Sequence, residues 1–178
     1  MNKGENLLHL HGTNKKLLVI MCGLPGRGKT YIAKRVCRYL NWIDYKSKVI
    51  NIGNYRRDIC GSDRKANFFD PYNKEAVESR LKCAIAAFNA CVSFFLHQQG
   101  EVSILDGTNS TINRRNHLKK WINQAEIEHK MKIVVLWIES VCDDQVMLLN
   151  NIKKKLSSPD YINLNEIDAI KDFKQRIE

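Results

Sequence analysis

The apolar run Leu17-Leu18-Val19-Ile20-Met21-Cys22 leads directly into Gly23-Leu24-Pro25-Gly26-Arg27-Gly28-Lys29-Thr30. Tyr31 to Leu40 then places its apolar residues at helical spacing. A strand that ends in a glycine-rich turn and opens a helix aims several backbone N–H groups at one point, where an anion is held. Gly23, Gly26 and Gly28 allow positive φ and close approach of the backbone. Lys29 is spaced to reach the β- and γ-phosphates of a nucleotide, and Thr30 to offer its hydroxyl to Mg²⁺. This pattern predicts an α/β domain that binds a nucleoside triphosphate.

A chain of 178 residues fits one domain, and its 44% hydrophobic content supports a packed core. The net charge of +10 invites three readings: nucleic acid, a small substrate with several phosphates, or solvated lysines such as Lys119-Lys120 and Lys153-Lys154-Lys155. Along the sequence the aromatics do not interleave with the basic residues as a stacking platform requires, so no nucleic acid is expected. The six cysteines show neither a Cys-x-x-Cys pair nor zinc spacing, and most sit in apolar segments as small buried residues. With no signal peptide visible, the expected setting is cytoplasmic. The longest uninterrupted apolar stretches are too short for a bilayer, so no membrane association is expected.

The pattern reads as a flexible lead over 1–16, then one domain over 17–178. Strands are expected over 17–22, 48–52, 102–105 and 132–138. Continuous apolar runs of this kind suit strands covered on both faces. Gly53 to Pro71 shows no period. Asp70-Pro71 is expected to open a long helix to about Gln99, with Gly100 ending it. Further helices are expected from about Ile112 to Glu128, from Asp143 to about Leu156, and from a cap at Asn165 through Arg176. Alternating strands and helices predict a mainly parallel sheet with right-handed crossovers. Ligands in such sheets lie outside the carboxyl ends of the strands. The phosphate loop, Asn54 to Arg57, Asp106 to Thr111 and Ser140 to Asp144 are all placed there.

Asp106 ends a strand, where an acid organises Mg²⁺ or accepts a proton; a plain turn or cap role is the alternative. Thr108, Asn109, Ser110 and Thr111 suit substrate binding, helix capping, or both. Arg56, Arg57, Arg80, Arg114 and Arg115 are candidates for gripping a second phosphate. Arg80 lies among apolar neighbours and could simply snorkel. Arg114 and Arg115 start a helix, where a cation is unfavourable unless an anion is near. The residues alone therefore read as a Mg²⁺-dependent kinase with a small, already phosphorylated acceptor. Loop amides, Lys29, Mg²⁺ and Arg27 or another arginine would carry the transition-state charge.

Seven segments together carry a resemblance. They are Gly23 to Tyr31, Arg38-Tyr39-Leu40-Asn41-Trp42, Asn54-Tyr55-Arg56-Arg57, Asn67-Phe68-Phe69, Asp106 to Thr111, Glu139 to Asp144, and Ser158-Pro159-Asp160-Tyr161. They resemble the kinase domain of the 6-phosphofructo-2-kinase/fructose-2,6-bisphosphatase family, from about Lys16 onward. The resemblance implies a three-layer P-loop nucleoside triphosphate hydrolase-type fold. It implies transfer of the γ-phosphoryl of ATP to O2 of fructose 6-phosphate. Gly23, Leu24, Pro25, Gly26, Arg27, Gly28, Lys29, Thr30 and Tyr31 would hold ATP, with Asn151 nearby. Lys29, Asp106 and Cys142 would be catalytic, and Thr30 and Asp106 would hold Mg²⁺. Arg56, Arg80, Thr108, Arg114, Arg176 and a lysine, Lys154 or Lys155, would hold fructose 6-phosphate. A homodimer is compatible with this reading. Gly107 and Ser110 stand where the family usually has Ala and Thr, and Asp70 where arginine is common. The segment 151–157 is one residue shorter than usual. The kinase domain of the family continues beyond the position of Glu178 and a phosphatase half follows. The expectation is thus a C-terminally truncated kinase domain without a phosphatase domain. A catalytically inactive nucleotide-binding remnant and a P-loop kinase for another phosphorylated acceptor are the alternatives.

Overall fold

A computed structural model describes residues 10, 13–62, 66–70, 72–156, 158–161 and 166–175. The order is β1 (Lys15–Cys22), α1 (Lys29–Trp42), β2 (Ser47–Asn51), α2 (Ile52–Cys60), a 3-10 turn (Ala66–Phe69) and α3 (Lys74–His97). Then follow β3 (Val102–Asp106), α4 (Ile112–His129), β4 (Lys132–Glu139), α5 (Gln145–Leu156) and α6 (Glu166–Gln175). The four strands form one parallel sheet in the order β2-β3-β1-β4.

The period-2 alternation of a strand sends neighbouring side chains to opposite faces, and here both faces are covered. Leu18, Ile20, Ile50, Leu105 and Ile133 pack against Phe88, Cys91 and Phe95 of α3 and Leu118 and Ile122 of α4. Val19, Met21, Val102 and Ile104 face the other way, onto Ala33, Val36 and Leu40 of α1. The result is the expected three-layer arrangement. Leu10, inside the expected flexible lead, is buried in this second core. The rest of 1–12 lies outside the described residues.

Several boundaries differ from the sequence reading. The aperiodic stretch after β2 contains α2, because the Asn51 side chain accepts the Asn54 N–H and caps a helix only nine residues long. Too few turns are present for a legible apolar stripe. α3 starts at Lys74 rather than at Asp70-Pro71, since Asn73 caps it through the Ala76 N–H; Pro71 lies outside the described residues. α5 starts at Gln145, where the Asp144 carboxylate accepts the Met147 N–H at 2.9 Å. The expected cap at Asn165 lies outside the described residues. α3 is also long and apolar enough to cross a membrane by composition. In the fold its Cys83, Ala84, Ala87, Phe88 and Cys91 are buried in the domain.

Candidate active site

The four strands end at Cys22, Asn51, Asp106 and Glu139, all on one edge, because the sheet is parallel. The loop after β1 is built on left-handed glycines: φ is 125° at Gly23, 76° at Gly26 and 83° at Gly28. Gly23 also needs to lack a side chain for space. A Cβ there would lie 2.5 Å from the Ser140 carbonyl oxygen. Its N–H donates to the Thr108 carbonyl at 3.0 Å. The Ser140 N–H donates to the Cys22 carbonyl at 2.9 Å, and the Ser140 hydroxyl to the Arg27 carbonyl. Asn151 of α5 donates to the Gly26 carbonyl at 2.9 Å. Phe173 of α6 presses its ring against Gly26, 3.4 Å from where a Cβ would stand. Side chains from the turn after β4 and from α5 and α6 thus hold the loop in shape from outside.

Lys29 is only 8% exposed, and its ammonium donates to the Leu24 carbonyl at 2.5 Å. Burial pushes it down to about 8; the Asp106 charge acts against this, and the Lys155 and Arg27 charges act with it. A buried cation in that condition is suited to receiving a polyanion. Asp106 is 1% exposed and accepts a hydrogen bond from the Asn51 amide at 2.5 Å. That pairing follows from the register, which puts Asn51 opposite Asp106 on adjacent strands.

Lys155 keeps surface in contact with solvent, yet desolvation lowers its ammonium. Asp106 and then Asp160 oppose the shift, while Arg57 and Arg56 add to it. This lysine is within electrostatic reach of two groups: Lys29 with Asp106, and Asp160 with its arginines.

Arg56 is buried and its Nη2 lies 2.6 and 2.7 Å from the two carboxylate oxygens of Asp160. Its guanidinium carbon stands 5.6 Å from the Phe69 ring centroid. Arg57 approaches the same carboxylate at 3.5 Å. Arg56 Nη1 is buried without a hydrogen-bond partner among the described residues. Arg80 does not merely snorkel: it donates to the Phe68 and Asp70 carbonyls at 2.6 and 3.3 Å. Arg114 donates to the Arg80 carbonyl at 3.4 Å. Burial lowers both Arg80 and Arg114, and the Arg80 charge lowers Arg114 further. Desolvated like charges side by side favour an anion between or beside them. Arg115 instead ties down the Asn109 and Ser110 carbonyls.

The remaining candidates fall as follows. Thr30 sits in the first turn of α1, and Leu24, Pro25 and Arg27 lie in the loop; the Arg27 guanidinium bonds the Pro25 carbonyl. Tyr31 is 64% exposed with Arg35 stacked over its ring. Thr108 is exposed and contributes its carbonyl to the loop. Cys142 is half-buried in the segment after β4. Arg176 lies outside the described residues. Three of the six cysteines are buried and the other three half-buried, fewer buried than the apolar context predicts. The reading by residue type did not single out Asn51, Ser140 or Phe173, and met Asp160 only inside a motif. Among the described residues, a cleft of about 560 Å³ between α3 and α4, lined by Phe88, Val92, Trp121 and His129, contains none of these residues.

The structure is similar to that of a Chloroflexus aurantiacus protein, with a TM-score of 0.56 at 13% identity over 87% of this chain and 73% of that one. It is also similar to APE1195, with a TM-score of 0.51 at 22% identity over 84% and 78% of the two chains. These likenesses establish the fold. In sequence, the chain is 44% identical over 167 residues to human 6-phosphofructo-2-kinase/fructose-2,6-bisphosphatase 1, covering 93% of this chain and 34% of that protein. It is 40% identical over 166 residues to human 6-phosphofructo-2-kinase/fructose-2,6-bisphosphatase 3, covering 93% and 31%. The chain thus spans about a third of the length of the curated relatives it matches. The family model for 6-phosphofructo-2-kinase matches residues 5–178, the whole sheet and every side chain described above included, so the chain belongs to the 6-phosphofructo-2-kinase family.

Proposed function

We propose that this chain transfers the γ-phosphoryl group of ATP to O2 of fructose 6-phosphate, giving ADP and fructose 2,6-bisphosphate. The observation that carries the reading is the buried pair Lys29 and Asp106 beside the glycine loop at the strand ends, with Lys155 in electrostatic reach of Asp106 and of the Asp160–Arg56 pair. On one side the glycine loop, Lys29 and Asp106 suit a triphosphate and a reacting hydroxyl. On the other side Arg56, with a buried nitrogen that has no partner among the described residues, lies beside Arg57. Arg80 and Arg114, both desolvated, supply the remaining positive charge for an acceptor phosphate. Membership of the family then selects a sugar phosphate as that acceptor.

In this reading the loop amides and Lys29 hold the β- and γ-phosphates. The arginines grip the 6-phosphate, which orients O2 toward the phosphorus. A bond forms from O2 to the γ-phosphorus as the bond from that phosphorus to the β–γ bridging oxygen breaks, and ADP leaves. Asp106 takes the proton lost by O2. Thr30 and Asp106 have the hard oxygen donors for Mg²⁺, which would neutralise charge on the phosphate oxygens. Lys155 and Lys29 add fixed positive charge where the transferring group becomes most dispersed.

The test is product formation with a panel of acceptors: fructose 6-phosphate, glucose 6-phosphate, fructose 1-phosphate and nucleosides. Only fructose 6-phosphate should yield an acid-labile 2-phosphate, and Asp106→Asn should abolish it. Protein that is stabilised by ATP yet phosphorylates none of these, or a different one, overturns the reading.

A further inference from the structure

We infer that Cys60 and Cys83 form a reversible disulfide site that switches the acceptor side of the crevice. Their sulfur atoms lie 3.5 Å apart, on different helices. Cys60 is the last residue of α2 and half-buried; Cys83 lies on α3 and is 1% exposed. The two thiols share a hydrogen bond, and closing the pair shortens their separation by about 1.5 Å.

The position gives the pair its consequence. Cys60 is four residues, one helical turn, beyond Arg56 on α2. Cys83 is three residues beyond Arg80 on α3. Its sulfur also lies within electrostatic reach of Arg56 and Arg114. Joining the sulfurs therefore moves the arginines that we assign to the acceptor phosphate, a link that rests on the function proposed above. Burial, with help from the Cys60 contact, pushes the Cys83 thiol up to about 11, so in the reduced protein it keeps its proton. The half-buried Cys60 is then the sulfur that meets the oxidant.

The oxidant is a hydroperoxide. The Cys60 sulfur attacks the peroxide oxygen, the O–O bond breaks, and Cys60 becomes a sulfenic acid as water or an alcohol leaves carrying the thiol proton. The Cys83 sulfur then attacks the Cys60 sulfur and expels hydroxide, which leaves as water with the Cys83 proton. Two electrons pass from the two sulfurs to the peroxide, and a dithiol reductant reverses the change.

The experiment treats the full chain with graded hydrogen peroxide, then alkylates remaining thiols and maps peptides by mass spectrometry. A Cys60–Cys83 cross-link is expected, lost on reduction and absent in Cys60→Ser and Cys60→Val, which leave the buried Cys83 in place. Fructose 6-phosphate and ATP affinities are measured on the reduced and oxidised forms by thermal shift. Oxidation should weaken fructose 6-phosphate by roughly tenfold, the scale of an ångström-level misplacement of binding groups, and leave ATP unchanged. The Cys60 variants should show no such loss. Two results overturn the inference: peroxide that oxidises other thiols without linking Cys60 to Cys83, or a link that leaves fructose 6-phosphate affinity as it was. If the reduced protein binds ATP but not fructose 6-phosphate, the substrate reading fails. The peptide map still decides whether the disulfide forms, and affinity for inorganic phosphate in the two forms then decides whether it moves the arginines.

Discussion

Replacing Lys29 should stabilise the nucleotide-free protein while removing its affinity for ATP. Lys29 is buried, and its ammonium titrates at about 8 instead of 10.5. At about 1.36 kcal/mol per unit, holding that charge in the folded protein costs about 3 kcal/mol near neutral pH. Lys29→Met removes the charge and keeps most of the volume. It also loses the Nζ bond to the Leu24 carbonyl, a contribution of about 1 kcal/mol. The balance favours the variant by roughly 2 kcal/mol, or about 4–8 °C in Tm for a domain of this size. The pH dependence fixes the cause. A lysine with a lowered folded pKa penalises the fold fully below that value. The penalty fades as pH rises from about 8 toward 10.5, because the unfolded chain then binds more protons. The Tm advantage of Lys29→Met should thus be greatest at pH 7 and shrink by pH 10, while ATP stabilises only the wild type. Differential scanning calorimetry of both proteins across that range is the assay. A variant less stable than wild type at pH 7, or an advantage constant with pH, refutes the argument.

Three further outcomes follow from the same contacts. Gly23→Ala should lower stability in urea by about 1–3 kcal/mol from the positive φ alone, and the meeting with the Ser140 carbonyl adds to it; Gly28→Ala, with open space around it, should cost less. Asn151→Ala removes one hydrogen bond to the loop at Gly26 and should weaken ATP by roughly fivefold in a binding titration, without change in fructose 6-phosphate affinity. Arg56→Met leaves the buried Asp160 without its main partner and should destabilise the fold by about 3–5 kcal/mol by denaturant melt, whereas Arg56→Met with Asp160→Leu should recover most of that.

The parts of the site written as contiguous sequence were legible. The glycine loop, the apolar strands and the strand-end Asp106 are local patterns with direct physical meaning. The arginines were legible only as candidates, and Arg80, Arg114 and Arg115 also bond backbone carbonyls. What stayed hidden was pairing. Asn51 reads as the end of a strand, and only the β2–β3 register sets it against Asp106. Ser140 reads only as the start of a strand-end segment, yet it closes the loop by bonding the Arg27 carbonyl. α2 was missed because its nine residues, led by a side-chain cap, make only about two and a half turns, too short a window for a helical pattern to be counted. Arg56 reads as a candidate for gripping a second phosphate, and one of its nitrogens is already committed to Asp160, 104 residues away.

The sequence alone determined that this chain builds a parallel α/β sheet around a glycine-rich loop between β1 and α1. Glycine spacing, strand hydrophobicity and helix periodicity act over a few residues and need no partner to be read. The tertiary structure decided which charges surround Lys155, which arginine nitrogen stays without a partner among the described residues, and why burial lowers Lys29. Those properties depend on burial and on charges brought together from distant strands, and both exist only once the sheet has assembled.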